Sequence, residues 1–214
     1  MTTVSEAIKK RHSARAFKDR DVDIDTVKSI IQIAKQSPSG VNTQPWNVYV
    51  LSGDARDKLV NEATSRYDQG KMDGQEYLVY PKEMPDWYKE RRRAVGWAMY
   101  GAIGIEKGDT EKMMAQGRKN YEFFGAPVGI FITVKNCVGP NGWGHVGHFI
   151  QNVCLLAIEN GLATCLQEAW AELPKLVREH VDYPEDETLW CGIALGYEDE
   201  TDPVNQFRTE REDL

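Results

Sequence analysis

The sequence predicts an α+β fold, with a small mixed or antiparallel sheet surrounded by helices. Three observations carry this. Stretches with apolar residues at i, i+3 and i+4 outnumber strand-like ones. The strand-like stretches are scattered singly between long helices, without a regular βα repeat. No repeat, low-complexity tract or linker divides the 214 residues, so 1–214 reads as a single domain with enough chain for a substantial core.

The elements follow in order. Thr3 with Glu6 forms a possible capping box, and Val4, Ala7 and Ile8 make an apolar face, so a first helix ends near His12. Asp25 caps a second helix with Val27, Ile30, Ile31 and Ala34 on one stripe, and Pro38 stops it. Trp46–Leu51 alternates as a strand, Ser52-Gly53-Asp54 turns, and Ala55–Tyr67 is helical. Asp68–Trp87 is punctuated by Gly70, Gly74, Pro81 and Pro85 and rich in large side chains; it reads equally as a lid or as a structural excursion. A helix spans Asp86–Ile105, with Val95, Ala98, Met99 and Ala102 as its stripe. Its Arg91-Arg92-Arg93 run is either a solvated face or a contact for an acidic substrate.

Asp109 caps a helix through Phe124. Pro127–Val134 is nearly all apolar, which suits a strand buried on both faces. Val146–Asn160 is a buried helix ended by Gly161, Leu162–Leu166 a short strand, Leu173–Val181 a helix, and Leu189–Tyr197 the last strand. The tail from Glu198 is acidic and polar but holds Arg208 and Arg211.

Composition is that of an ordinary globular chain, 41% hydrophobic and 28% charged. A net charge of −7 argues against nucleic acid or an anionic membrane as a partner, since both would be repelled. No apolar run reaches the roughly 18 residues of a membrane span. The first residues lack the layout of a secretory signal, and Cys137, Cys154, Cys165 and Cys191 are isolated thiols, so the expected location is the reducing cytoplasm.

Two stretches stand out. Arg11-His12-Ser13-Ala14-Arg15 holds two guanidiniums with a hydroxyl between them; they read either as a solvated helix end or as forked donors to phosphate. Ser37-Pro38-Ser39-Gly40-Val41-Asn42-Thr43-Gln44-Pro45-Trp46 packs small, polar and rigid residues between a helix and a strand, and offers backbone N–H groups to a planar polar ligand. Together they suggest half of a site for a phosphorylated ring cofactor. Gly142-Trp143-Gly144-His145-Val146-Gly147 matches G-x-G-x-x-G. However, Lys135–Asn141 intervenes where a dinucleotide motif needs a tight turn, so it reads as a flexible loop feeding the helix. His145 and His148 could share a helix face, yet a metal would need a further ligand, and none is evident. No catalytic Ser/His/Asp set appears.

The paired N-terminal motifs resemble those of the FMN-dependent nitroreductase family. The likeness runs end to end and is strongest to its nitrobenzoate-type reductases, which carry a Pro/Trp-containing lid before an Arg-rich helix. The resemblance implies a nitroreductase-like fold, an intertwined homodimer with two active sites at its seam, FMN as cofactor and NADH or NADPH as co-substrate. It assigns the FMN phosphate, ribityl chain and pyrimidine edge to Arg11, His12, Ser13 and Arg15. Pro38, Ser39 and Asn42, with Gln44 as a neighbour, would reach the flavin of the other subunit. Leu166-Gln167-Glu168-Ala169 would run beside the flavin, with the Glu168 N–H at N5; many relatives have proline at the Leu166 position. Arg211, in Arg-Glu-Asp-Leu, matches a C-terminal phosphate-binding motif with Asp213 in place of proline, and Arg208 is a second candidate. The chain ending at Leu214 implies a shortened embrace of the partner.

The implied chemistry is ping-pong hydride transfer through flavin N5, from NAD(P)H to a small nitroaromatic, with no side-chain nucleophile. A cation about 4 Å from the N1/O2 edge, at an effective dielectric near 20, contributes about 4 kcal/mol to the reduced anion; Arg15 is the candidate. Alternatives on the same fold are a quinone or enone reductase and a reductive dehalogenase resembling iodotyrosine deiodinase. A non-catalytic flavin carrier is the reading from another class.

Overall fold

A computed structural model describes residues 2–213. Its centre is one antiparallel sheet in the order β1-β2-β4-β3, formed by β1 (Trp46–Ser52), β2 (Val128–Lys135), β3 (Ala163–Gln167) and β4 (Glu187–Gly196). The register pairs Tyr49 with Phe131, Ile132 with Cys191 and Leu166 with Ile193. Every pairing among these four strands is antiparallel; a parallel bridge, Ser13 to Thr164, lies outside them at the β3 edge.

The sheet is covered on both faces. Val128, Ile130, Ile132 and Val134 of β2 share one core with α2 (Ile24–Ala34) and α6 (Pro140–Glu159), where Trp46 stacks on Phe149 at 5.1 Å. Phe131 points the other way, into a core with Phe123, Trp170, Leu59 of α3 (Gly53–Asp68) and Leu176 of α7 (Pro174–Val181). A strand buried on both sides has no polar face, hence its continuous apolar sequence. Two glycines notch the second face: a methyl group on Gly129 would collide with the Phe123 ring, and one on Gly192 with the Trp170 indole. Phe123 and Trp170 stack at 4.8 Å over these notches.

Several boundaries differ from expectation. The Thr3–Glu6 capping box is present on α1 (Val4–Lys10), but only Ala7 of its apolar face is buried; Val4 and Ile8 are exposed. Asp23, not Asp25, caps α2, accepting the Asp25 N–H at 3.1 Å. The helix capped by Asp109 stops early: α5 covers Thr110–Arg118, and a 3₁₀ turn follows over Lys119–Gly125. Within that turn Phe123 and Phe124 take left-handed φ of 51° and 53°, a strained choice for aromatic residues that swings Phe123 into its notch. The three glycines at 142, 144 and 147 lie inside α6, whose N1 residue is Pro140, so the G-x-G-x-x-G stretch is helix and not loop.

α4 (Asp86–Ala102) buries none of its residues; Val95 and Ala98 of its expected stripe are exposed. Among the described residues it packs against the Pro203–Asn205 turn and shares a groove with Tyr80 and the tail. No helix among the described residues is long and apolar enough to cross a membrane. All four cysteines are free thiols; Cys154, Cys165 and Cys191 are buried and Cys137 is exposed.

Candidate functional site

α1 ends when Arg11 leaves helical geometry (φ −59°, ψ 123°), and the chain then runs extended along the free edge of β3. Ser13 bridges Thr164, and the Ala14 N–H donates to the Thr164 carbonyl at 3.0 Å with the Ala14 side chain fully buried. Further on, Lys18 donates to Tyr197 at 2.8 Å and Asp199 to Ala16 at 3.1 Å, extending the pairing past β4. The motif is thus clamped at both ends, and Arg11, Ser13 and Arg15 lie half-buried over β3. Burial pushes the Cys165 thiol beneath them up to about 11, opposed by the nearby Arg15 and Arg11 charges. Arg15 Nη1 donates to the Ser13 carbonyl at 3.2 Å. Neither Arg11 nor Arg15 meets a carboxylate within 4.0 Å among the described residues. Two guanidiniums held together without a counter-charge form a standing invitation to an anion.

His12 is committed within the chain. Its Nδ1 lies 3.0 Å from the Lys10 carbonyl and its Nε2 2.8 Å from Glu198 Oε1, with both side chains largely buried. The structure therefore gives it a clasping role between the N-terminal segment and the tail.

The Ser37–Trp46 loop sits elsewhere, on the first half of α6. Asn152 donates to Ser37 Oγ at 2.7 Å, and Ser37 in turn donates to the Ala34 carbonyl at 2.7 Å. The Gly40 N–H donates to His145 Nε2 at 3.3 Å, and His148 Nδ1 lies 3.4 Å from the Pro38 carbonyl. The two histidines hold this loop. Among the described residues no group of three or more His, Cys, Asp or Glu could hold a metal ion. The Ser39 hydroxyl accepts the Gln44 N–H at 2.9 Å. Val41, Asn42 and Gln44 all take left-handed φ (45°, 57° and 47°), costing roughly 1–3 kcal/mol each. The loop points its strained tip outward: Val41 is 97% exposed, and Pro38, Asn42 and Gln44 are exposed too.

At the end of β3, Leu166 and Glu168 face outward while Gln167 is buried. Gln167 Nε2 donates to the Asn120 carbonyl at 2.6 Å, while its Oε1 is buried without a partner among the described residues. Glu168 opens a 3₁₀ turn over Glu168–Glu172, and partial burial pushes its carboxyl up. Ala169 accepts from the Tyr121 hydroxyl at 3.2 Å. Across from this turn, Tyr77 donates to the Trp190 carbonyl at 2.5 Å and packs edge-on against Trp143, which meets Trp190 likewise. Burial, then the Glu168 charge, drives the Tyr77 hydroxyl up.

The 68–85 stretch has two halves. Asp73 takes the Arg66 guanidinium at 3.1 Å and the Leu176 N–H at 3.0 Å, and Glu76 takes Arg178 at 3.1 Å. After Tyr77 the contacts shift away from the sheet: Val79 donates to Gln75 Oε1 at 3.4 Å and the Tyr80 ring lies under Arg92 of α4. Leu78 and Tyr80 are exposed.

Asn205 is the residue that motif reading missed. Only 1% exposed, it accepts the Arg15 N–H and donates to the Ala16 and Asp199 carbonyls at 2.8 and 2.9 Å. A lone asparagine in a polar tail carries no signal in sequence. Arg208 donates to the Asn205 carbonyl, which brings it next to the Arg15 segment. Arg211 is not brought there: its hydrogen bonds go to Thr209 and Glu210, and it lines a groove against α4. Leu214, the last residue of its motif, lies outside the described residues.

A sheet edged by a cationic N-terminal segment and wrapped by α6 is the frame of a known class. Residues 8–197 match the model of the Nitroreductase family, and the chain belongs to that family. It is 36% identical over 210 residues to the 4-nitrobenzoate reductase of Nocardioides sp. (strain LMS-CY), covering 96% of this chain and 84% of that protein. The FMN- and NADPH-dependent nitroreductase NfnB from Sphigopyxis sp. strain HMH superposes with a TM-score of 0.94 at 38% identity, covering 99% of this chain and 96% of that one. The FMN-dependent NfnB from Mycobacterium smegmatis, solved with NADPH, superposes at 0.93 with 29% identity, covering 98% and 94%.

Proposed function

We propose that this chain is an FMN-dependent NAD(P)H oxidoreductase that reduces nitroaromatic compounds. The observation that carries the reading is the Arg11/Arg15 pair, half-buried, without a carboxylate partner among the described residues, on a segment bridged at Ser13 to Thr164 of β3, the strand that leads into the Glu168 turn. That donor set fits a flavin nucleotide: two guanidiniums and the Ser13 hydroxyl suit a phosphate and a polar ring edge. Bound FMN would supply the redox chemistry, serving as the hydride carrier between NAD(P)H and a nitroaromatic in a ping-pong cycle. Arg15 would hold positive charge against the flavin's pyrimidine edge, and the backbone at Leu166, Gln167, Glu168 and Ala169 would flank the ring. His12 keeps the arginine segment in place through Glu198. Arg208 is the nearer of the two tail cations and Arg211 the farther.

Residues 1–214 act as one domain in a homodimer. The outward, strained tip with Pro38, Ser39, Asn42 and Gln44 supports this, because it faces away from its own α6 seat and suits the flavin of a partner subunit. The 68–105 segment serves as lid, hinged after Tyr77. The three buried free thiols suit a reducing cytoplasm.

The test is anaerobic. The purified yellow protein should bleach with NADPH or NADH and regain its colour on addition of nitrobenzene. A yellow protein that neither nucleotide bleaches supports the flavin-carrier alternative, and a protein unable to take up FMN removes the reading.

A further inference from the structure

The two histidines that seat the Ser37–Trp46 loop bond it with opposite polarity. His145 accepts: the Gly40 N–H donates to its Nε2 at 3.3 Å, so that nitrogen carries no proton while the bond stands. His148 donates: its Nδ1 lies 3.4 Å from the Pro38 carbonyl, which can only accept. The fit at Gly40 is close, since a methyl group there would come within 3.1 Å of His145 Cε1. The loop itself has no ionisable side chain from Ser37 to Trp46. Of the other elements packed on α6, α1 brings Glu6, Lys9 and Lys10, α2 brings Asp25, Lys28 and Lys35, β2 brings Lys135 and β3 the Cys165 thiol. None of these bonds or ion-pairs with either ring among the described residues. The two rings stand 6.2 Å apart, centre to centre.

Gly40 is the anchor nearest the strained tip, where Val41, Asn42 and Gln44 hold left-handed φ. Such a backbone persists only while its surroundings hold it. We propose that His145 is an acid-operated latch on this loop: a proton on Nε2 turns the acceptor into a donor facing the Gly40 N–H, and the tip lets go. The latched loop excludes a proton from Nε2 and the released loop admits one. The latch therefore holds at neutral and higher pH and opens as pH falls through the range in which imidazole takes up a proton. His148 keeps its bond in either state, because Nδ1 already carries the proton it donates. Asn152 and Ser37, which do not titrate in this range, hold the root of the loop. Acid thus loosens the tip without detaching the loop. If the tip serves the flavin of a partner subunit, acid withdraws it from that site; this consequence rests on the proposed function, and the latch does not.

The experiment is hydrogen–deuterium exchange of the holoenzyme at about pH 8 and about pH 5, corrected for the intrinsic rate at each pH. Three tip amides report: Asn42 bonds the Ser39 carbonyl at 3.0 Å, Thr43 the Gly40 carbonyl at 3.1 Å and Gln44 the Ser39 hydroxyl at 2.9 Å. In the wild type they should lose about fivefold in protection at the acid pH relative to amides of β2, as expected for one lost hydrogen bond. His145→Gln offers Gly40 an amide oxygen that accepts at either pH. It should keep its protection in acid, a gain that misfolding cannot produce. His145→Ala should show low protection at both pH values, and His148→Gln should retain the response. Equal protection of the wild type at the two pH values overturns the proposal. So does a response that survives in His145→Gln or vanishes in His148→Gln. Flavin fluorescence of the same samples separates the two readings. A tip released in acid with the flavin still bound fails the partner-flavin role alone. A tip that stays protected in acid, in an enzyme that reduces nitrobenzene, fails this inference alone.

Discussion

The backbone N–H of Arg15 donates to Asn205 Oδ1 at 2.7 Å, across 190 residues of chain. Through this bond the tail fixes the conformation of the N-terminal cationic segment. Asn205→Ala leaves the Arg15 N–H without its partner, while the Ala16 and Asp199 carbonyls keep the Asp199 and Asp202 N–H groups. One unsatisfied buried donor costs about 1–3 kcal/mol. The variant should show a lower urea midpoint and lose flavin on gel filtration; an unchanged midpoint would show that water replaces the clasp.

Arg15→Ala removes half of the uncompensated guanidinium pair. A charge-assisted hydrogen bond is worth about 1.5–3 kcal/mol, so FMN affinity should fall roughly 10–100-fold. Reduction by NADPH, followed by stopped-flow absorbance, should also slow. Unchanged flavin occupancy and rate remove the role assigned to this residue.

If the 38–44 tip serves the partner's flavin, FMN should be released as the protein is diluted through its dimer–monomer equilibrium. Flavin fluorescence recorded alongside light scattering checks this. A monomer that retains its flavin refutes the shared site.

Gly192→Ala places a methyl group in the Trp170 indole. Overpacking of a close-packed core costs about 1–3 kcal/mol. The loss should appear as a lower midpoint in thermal melts. A wild-type melting temperature would mean that the sheet yields more readily than its two packed faces suggest.

Tyr49 predicts a loss of stability at high pH. Its hydroxyl is pushed up to about 12, first by burial and then by donation to Glu187 at 3.0 Å. The unfolded phenol releases its proton near its usual value of 10.0. Between those values the unfolded state binds fewer protons, so stability falls as pH rises. The Tyr49 contribution is complete below about pH 10 and gone above about pH 12. Tyr49→Phe should flatten the fall in urea midpoint over this window; an equally steep fall would assign it to other buried groups.

Much of this protein was legible before any coordinates. Apolar periodicity located most of the helices, and the nearly continuous apolar run at Pro127–Val134 announced a strand covered on both faces. These are local signals, written in side-chain spacing that one helix or strand imposes on itself. The misreadings were of another kind. The helix expected through Phe124 breaks because Phe123 is pulled into the space beside Gly129 and onto the ring of Trp170, a distant partner. The three glycines at 142–147 join α6 because Pro140 suits a first helical turn and Val146 and Phe149 carry that helix into the core. His145 and His148 looked like a stray ligand pair until the Ser37–Trp46 loop was laid across them.

The sequence by itself determined the class of fold, the cationic N-terminal segment and the polar loop, since each rests on residues adjacent in the chain. Tertiary structure alone decided that Asn205 holds Arg15, that His12 answers Glu198, and that the arginines of α4 share a groove with the tail. The reason is physical. Spacing along a chain encodes which face of an element is apolar. Which distant polar group satisfies a buried donor depends on how those faces come together, and that is settled only by packing.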